Sequence, residues 1–103
     1  MAIKKSFTDN GGGLHPDGYH KLMSCNLSIF EPTAGFAPSA DARYMSFHDR
    51  AAFDEGKAPY GGHNYLALNI SGLTANSWTE LVLFIETVCL TYDPYFAGGT
   101  IVE

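Results

Sequence analysis

Four histidines, two cysteines and eleven carboxylates are the side chains in which chemistry would first be sought. His15, His20, His48 and His63 raise metal binding. Zinc sites legible in sequence place ligands four apart on a helix or in Cys-x-x-Cys-type pairs, and none of the four histidines has such a neighbour. His15 and His63 stand beside Pro16 and Gly62, in loops where an imidazole is simply solvated. Nucleophilic catalysis needs a nucleophile, a base and an orienting acid. Cys25 and Cys89 fall on apolar faces, where a thiol is a poor nucleophile. His48 and Asp49 are adjacent in a strand and point to opposite faces, so Asp49 does not orient His48. Asp54-Glu55 pairs two carboxylates in a loop with no sign of burial, and reads as a solvated turn rather than a general acid and base. The run Asp9-Asn10-Gly11-Gly12-Gly13 lacks the helix and lysine that a phosphate-cradling loop requires after its glycines. The expectation is a protein that is not an enzyme, with no catalytic residue, metal or cofactor.

The elements that would carry these residues belong to one small domain. A chain of 103 residues, 46% hydrophobic and 17% charged, reads as a single globular domain over 1–103. Six basic against eleven acidic residues give a net charge of −5. Nucleic-acid partners need a basic face and anionic membranes a polybasic segment, and here Lys and Arg are scattered singly. Neither nucleic acid nor membrane is expected as a partner. The opening Met-Ala-Ile-Lys-Lys-Ser-Phe has no apolar run behind its lysines and does not read as a signal peptide. No stretch approaches the roughly 18–20 apolar residues of a membrane span. Synthesis and folding in the cytoplasm, with Cys25 and Cys89 as buried free thiols, are expected.

The strongest element is the helix Ser77–Thr91. Ser77 and Glu80 have capping-box spacing, and Trp78, Leu81, Val82, Ile85, Val88 and Cys89 recur at helical period as one apolar stripe. Four strands precede it. Ala2–Thr8 is a short one with Ile3 and Phe7 as apolar members. Met23, Cys25, Leu27 and Ile29 alternate with polar residues and put one face to the core. Ala42–Asp49 resumes the alternation, and Asn64–Ile70 turns Leu66, Leu68 and Ile70 inward, leaving Tyr44, Ser46, Tyr65 and Asn69 on the outer face. Glu31–Ala40 reads as a surface loop, and Ala51-Ala52-Phe53 as one helical turn. The order β-β-β-β-α predicts an α+β fold, a small antiparallel β-sheet of about four strands packed on one C-terminal amphipathic helix.

More apolar surface is present than that packing consumes. Leu83, Phe84 and Leu90 lie off the helix stripe, and Tyr92, Tyr95 and Phe96 follow in what would be a tail. Two readings stand side by side. Either the C-terminal segment folds back and buries these side chains within the domain, or they form a protein–protein interface, where aromatics are enriched and charge is depleted.

The opening Met-Ala-Ile-Lys-Lys-Ser-Phe-Thr, the Gly-Tyr-His of residues 18–20, the loop Asp49–Pro59 and the ending Tyr-Asp-Pro-Tyr-Phe-Ala-Gly-Gly resemble small proteins of about this length encoded among the tail and tail-fibre genes of tailed bacteriophages. The loop carries most of the likeness, and Glu31–Ala40 is longer than in that group. The resemblance implies a non-enzymatic virion structural protein of the tail, baseplate or fibre-attachment region. Its partners would be other virion proteins or copies of itself in a symmetric array. A capsid cement or decoration protein, with an N-terminal arm extendable through Gly11–Gly13, is the alternative, and a small metal-dependent or hydrolytic enzyme using the histidines is a third.

Overall fold

A computed structural model gives the fold and describes residues 1–28, 38–68, 70 and 77–103. Among the described residues, seven strands and two helices run in the order β1 (Ala2–Lys4), β2 (Phe7–Thr8), β3 (Leu14–His15), β4 (Tyr19–Ser28), β5 (Ser39–Phe47), α1 (Arg50–Asp54), β6 (Gly61–Ala67), α2 (Trp78–Tyr92) and β7 (Thr100–Val102). The fold is α+β. A five-stranded antiparallel sheet is ordered β6-β5-β4-β1-β7, and β2 and β3 pair as a separate hairpin. The expected first strand divides in two, so Ile3 joins the main sheet and Phe7 the hairpin. Gly11–Gly13 is the turn of that hairpin rather than the hinge of a free arm, and β1 lies inside the sheet between β4 and β7.

The helix α2 forms where its cap and stripe place it. The Ser77 hydroxyl accepts from the Glu80 N–H at 3.2 Å, satisfying one of the donors that a helix start leaves open. Ile85 and Cys89 are buried and pack with Ile3, Ala40, Ala42, Tyr44, Ala67 and Phe96, while Leu81 and Val88 are partly buried against the same cluster. The alanines of β5 and β6 leave room for the helix to approach the sheet. Burying Ile3 and Ile85 stabilises the fold by about 1.5–3 kcal/mol each. A second cluster on the opposite face gathers Ala2, Tyr19 and Phe47, with Phe53 of α1 packed against it. The expected turn at Ala51–Phe53 is α1, capped by Asp49, whose Oδ1 accepts from Ala52 N–H at 2.8 Å.

Two strand faces differ from expectation. The pairing of β4 with β5 slips between Leu22 and Ser24, and such a bulge reverses the side-chain alternation of everything after it. Leu22 and Cys25 therefore pack on the core while Met23 is exposed; Leu27 shares the Cys25 face, opposite the buried Ala40, but is itself exposed, and Ile29 lies outside the described residues. In β6 the inward residues are Tyr65 and Ala67, and Leu66 and Leu68 are exposed. Strand β5 turns the same way. Tyr44 and Ser46, expected outside, are buried. Ile70 is inside as expected, but beyond the strand end, where its N–H donates to the Pro38 carbonyl at 2.9 Å. Counting tyrosine as a surface residue misassigns both strands, because its ring packs like any large apolar group. Asn69 lies outside the described residues.

The C-terminal segment folds back. Asp93 ends α2, Phe96 inserts between Tyr44 and His63, and Thr100–Val102 adds β7 to β1. Among the described residues, no helix is long and apolar enough to cross a membrane.

Candidate functional site

All four histidines are held by hydrogen bonds, including the two expected to be solvated. Asp9 anchors the first group. Its Oδ1 accepts from the Gly11 and Gly13 amides, each at 2.9 Å, and its Oδ2 accepts from His15 Nε2–H at 2.8 Å. The His15 hydrogen bond, with the two amides, holds the Asp9 carboxyl below its ordinary value. A carboxylate only accepts, so His15 carries hydrogen on Nε2. Its Nδ1 meets Nδ1 of His48 at 2.8 Å. With neutral rings His15 Nδ1 is the acceptor, His48 donates, and the exposed Nε2 of His48 keeps its lone pair. His15 itself is buried, stacked on Phe7 and tilted against Tyr60.

This chain of Asp9, His15 and His48 opens on a groove of about 500 Å³ lined by Asp49, Ala52, Glu55, Lys57, Pro59 and Tyr60. Chemically, the arrangement presents one oriented imidazole nitrogen, suited to accept a hydrogen bond or a proton. Lys57 is paired with Glu55 at 3.3 Å. His48 and Asp49 do not point to opposite faces of a strand as expected: β5 ends at Phe47, and Asp49, whose Oδ1 caps α1, has its Oδ2 3.9 Å from His48 Nε2.

His20 is fully buried between Ser46 Oγ (2.8 Å) and the Lys5 carbonyl (2.9 Å), and burial pushes its pKa down. His63 is bonded to Asp93 at 2.6 Å and stacked on Tyr95 at 4.0 Å between ring centroids. Asp93 also accepts from the Tyr95 N–H at 3.0 Å. Among the described residues no three His, Cys, Asp or Glu side chains converge in a metal-binding geometry.

Glu86 was invisible in the sequence as anything but a helix-surface residue. It is fully buried, neither carboxyl oxygen has a hydrogen-bond partner among the described residues, and burial pushes its pKa up to about 7. The positive charges that offset this are the Met1 amine and Lys21. The Lys21 ammonium also donates to the Met1 carbonyl at 2.9 Å and sits over the Phe53 ring. Cys25 and Cys89 are free thiols, partly and fully buried; burial raises the Cys89 thiol to about 11 and raises the adjacent Tyr44 hydroxyl.

The six residues expected at a protein interface divide. Phe96 is fully buried and belongs to the core, which corrects its assignment to a contact surface. Phe84 and Leu90 are half-buried against the same core. Leu83, Tyr92 and Tyr95 are exposed, but they do not stand alone. Trp78 (82%), Leu68 (73%), Tyr92 (70%), Met23 (57%) and Leu66 (53%) are the large apolar side chains most open to solvent on the elements around α2. Trp78, Met23 and Leu27 were expected inside, and line a hollow of about 430 Å³ with Leu81 and Ile85. Comparison of the chain with protein families, with curated proteins and with solved structures gave no match.

Proposed function

We propose that this chain is a non-enzymatic structural protein of a tailed-phage virion, built into the tail, baseplate or fibre-attachment region through protein–protein contacts. One observation carries the assembly part of that reading. The large apolar side chains of β4, β6 and α2 stay open to solvent on a domain of 103 residues, whereas contiguous exposed apolar surface marks interaction sites. The phage address comes from the sequence resemblance in the N-terminal segment, the Asp49–Pro59 loop and the aromatic C-terminal segment. Acidic net charge fits contacts with protein rather than with nucleic acid.

The test is an antibody against the chain applied to intact virions of a phage that encodes it, viewed by electron microscopy. Label on the tail or baseplate is the expected result. Label spread over the capsid would move the protein to the decoration alternative, and virions lacking the chain altogether would overturn the reading.

A further inference from the structure

We infer that the outer edge of β6 pairs with the same edge of a second copy, antiparallel about a two-fold axis, joining two sheets into one. This rests on the assembly reading above and names one partner for it. On one side β6 is bonded to β5; on the other, among the described residues, no strand pairs with it. Edge strands are ordinarily guarded against such pairing by charge, proline, a bulge or short length. The seven residues Gly61–Ala67 contain no charged residue and no proline. Their ladder with β5 runs from Ser46–Gly61 to Ala40–Ala67 without a shift. The other edge of the sheet, β7, is only three residues long. Of the two edge strands, β6 alone, among the described residues, has none of these guards.

Charge and shape argue for a copy of this chain as the occupant. A net charge of −5 opposes self-association wherever acidic groups meet. Along β6 they do not meet. Asp93 is buried and bonded to His63, and Asp41, level with Leu66 on β5, is paired with Arg43 at 3.4 Å. Antiparallel pairing centred on Asn64 sets each Leu66 opposite the other copy's Gly62, and each Ala67 opposite Gly61. A projecting side chain thus meets a position that has none. The two-fold makes every such contact occur twice, and the added ladder supplies main-chain hydrogen bonds. Beside the strand, Tyr65, Leu68, Val88 and Tyr92 line a hollow of about 510 Å³ that the second copy would cover.

The experiment is absolute mass by light scattering over a wide concentration range, on the wild-type chain and on Leu66→Lys, with circular dichroism to show that the variant is folded. A concentration-dependent dimer is expected, with the association constant at least tenfold weaker in Leu66→Lys. An Asn64→Cys variant in a Cys25→Ser background is expected to form an intermolecular disulfide under mild oxidation. Either kind of antiparallel pair holds facing Cα atoms about 4.5–5.5 Å apart, within disulfide range. A wild-type chain that stays monomeric throughout would overturn self-pairing, leaving virion labelling to judge the assembly reading. An oligomer indifferent to Leu66→Lys, with Asn64→Cys failing to cross-link, would overturn the β6 edge and leave self-assembly standing.

Discussion

His15 and His48 meet Nδ1 to Nδ1 at 2.8 Å across 33 residues of chain. That contact ties the β2–β3 hairpin to the corner between β5 and α1. It exists only while one of the two nitrogens lacks a proton, because an imidazolium donates from both. Asp9 decides which nitrogen that is, by accepting a hydrogen bond from His15 Nε2–H.

Replacing Asp9 by Asn is therefore expected to loosen the hairpin and leave the five-stranded sheet intact. An amide oxygen accepts more weakly than a carboxylate, and three donors depend on it: the Gly11 and Gly13 amides and His15. Hydrogen exchange should quicken at Gly11 and Gly13, with β4 and β5 unchanged. The same link predicts acid sensitivity. The Asp9 pKa is depressed by folding, so its contribution is present above the ordinary carboxylate value of about 3.9 and is lost as pH falls through the folded one. Unchanged exchange in Asp9→Asn would show that the turn stands without the carboxylate.

Glu86 gives the opposite slope. Its pKa is raised by burial from 4.5 to about 7, so between those values the folded chain holds a proton that the unfolded chain has released. Stability then falls as pH rises through this window, by roughly 3 kcal/mol in all at about 1.4 kcal/mol per unit. Glu86→Gln should remove that slope, and at pH 8 it should unfold at higher denaturant concentration than wild type. Urea titrations of both proteins from pH 4 to 8 read the difference directly. Parallel curves would mean that Lys21 and the Met1 amine already neutralise the carboxylate.

What the sequence shows and what it hides divide along physical lines. The helix was legible because Ser77, Glu80 and the apolar residues after them are local signals, read at one spacing. Strand faces were not, because a single slipped residue takes Met23 off the face that its spacing shares with Cys25 and because Tyr44 and Tyr65 pack inward with no mark in their spacing. The histidine contacts join positions 6 to 33 residues apart, and no local pattern records them. Glu86 follows Ile85 on the helix, and only its burial in the tertiary fold distinguishes it from a solvated glutamate.

Phe96 and Tyr92 separate core from surface in a segment where the sequence alone leaves both open. Phe96 is fully enclosed, edge-on to Tyr44 and His63. Truncation to alanine leaves a cavity the size of a ring, and Phe96→Ala should cost about 3–5 kcal/mol. Tyr92 is 70% exposed, so Tyr92→Ala should change the stability of the isolated chain by less than about 0.5 kcal/mol. Equal losses in thermal melts of the two variants would place Tyr92 in the core as well.

Gly18 is the position where backbone and ring close in most tightly. A Cβ there would stand 2.4 Å from the Lys5 carbonyl oxygen and 2.4 Å from the Phe7 ring. The carbonyl cannot retreat easily, since the Lys5 N–H donates to the Gly18 carbonyl at 3.0 Å and the Lys5 carbonyl is held by His20 Nε2. Phe7 in turn is stacked on His15. Adding one methyl group must push the link between β1 and β2 away from the start of β4, straining the buried His20 contact. Gly18→Ala should destabilise by about 1–3 kcal/mol, the usual cost of overpacking, and move the ring resonances of Phe7, His15 and His20 together in NMR spectra. A Gly18→Ala protein as stable as wild type, with those three rings unmoved, would mean that the Lys5–Gly18 approach is looser than the geometry requires.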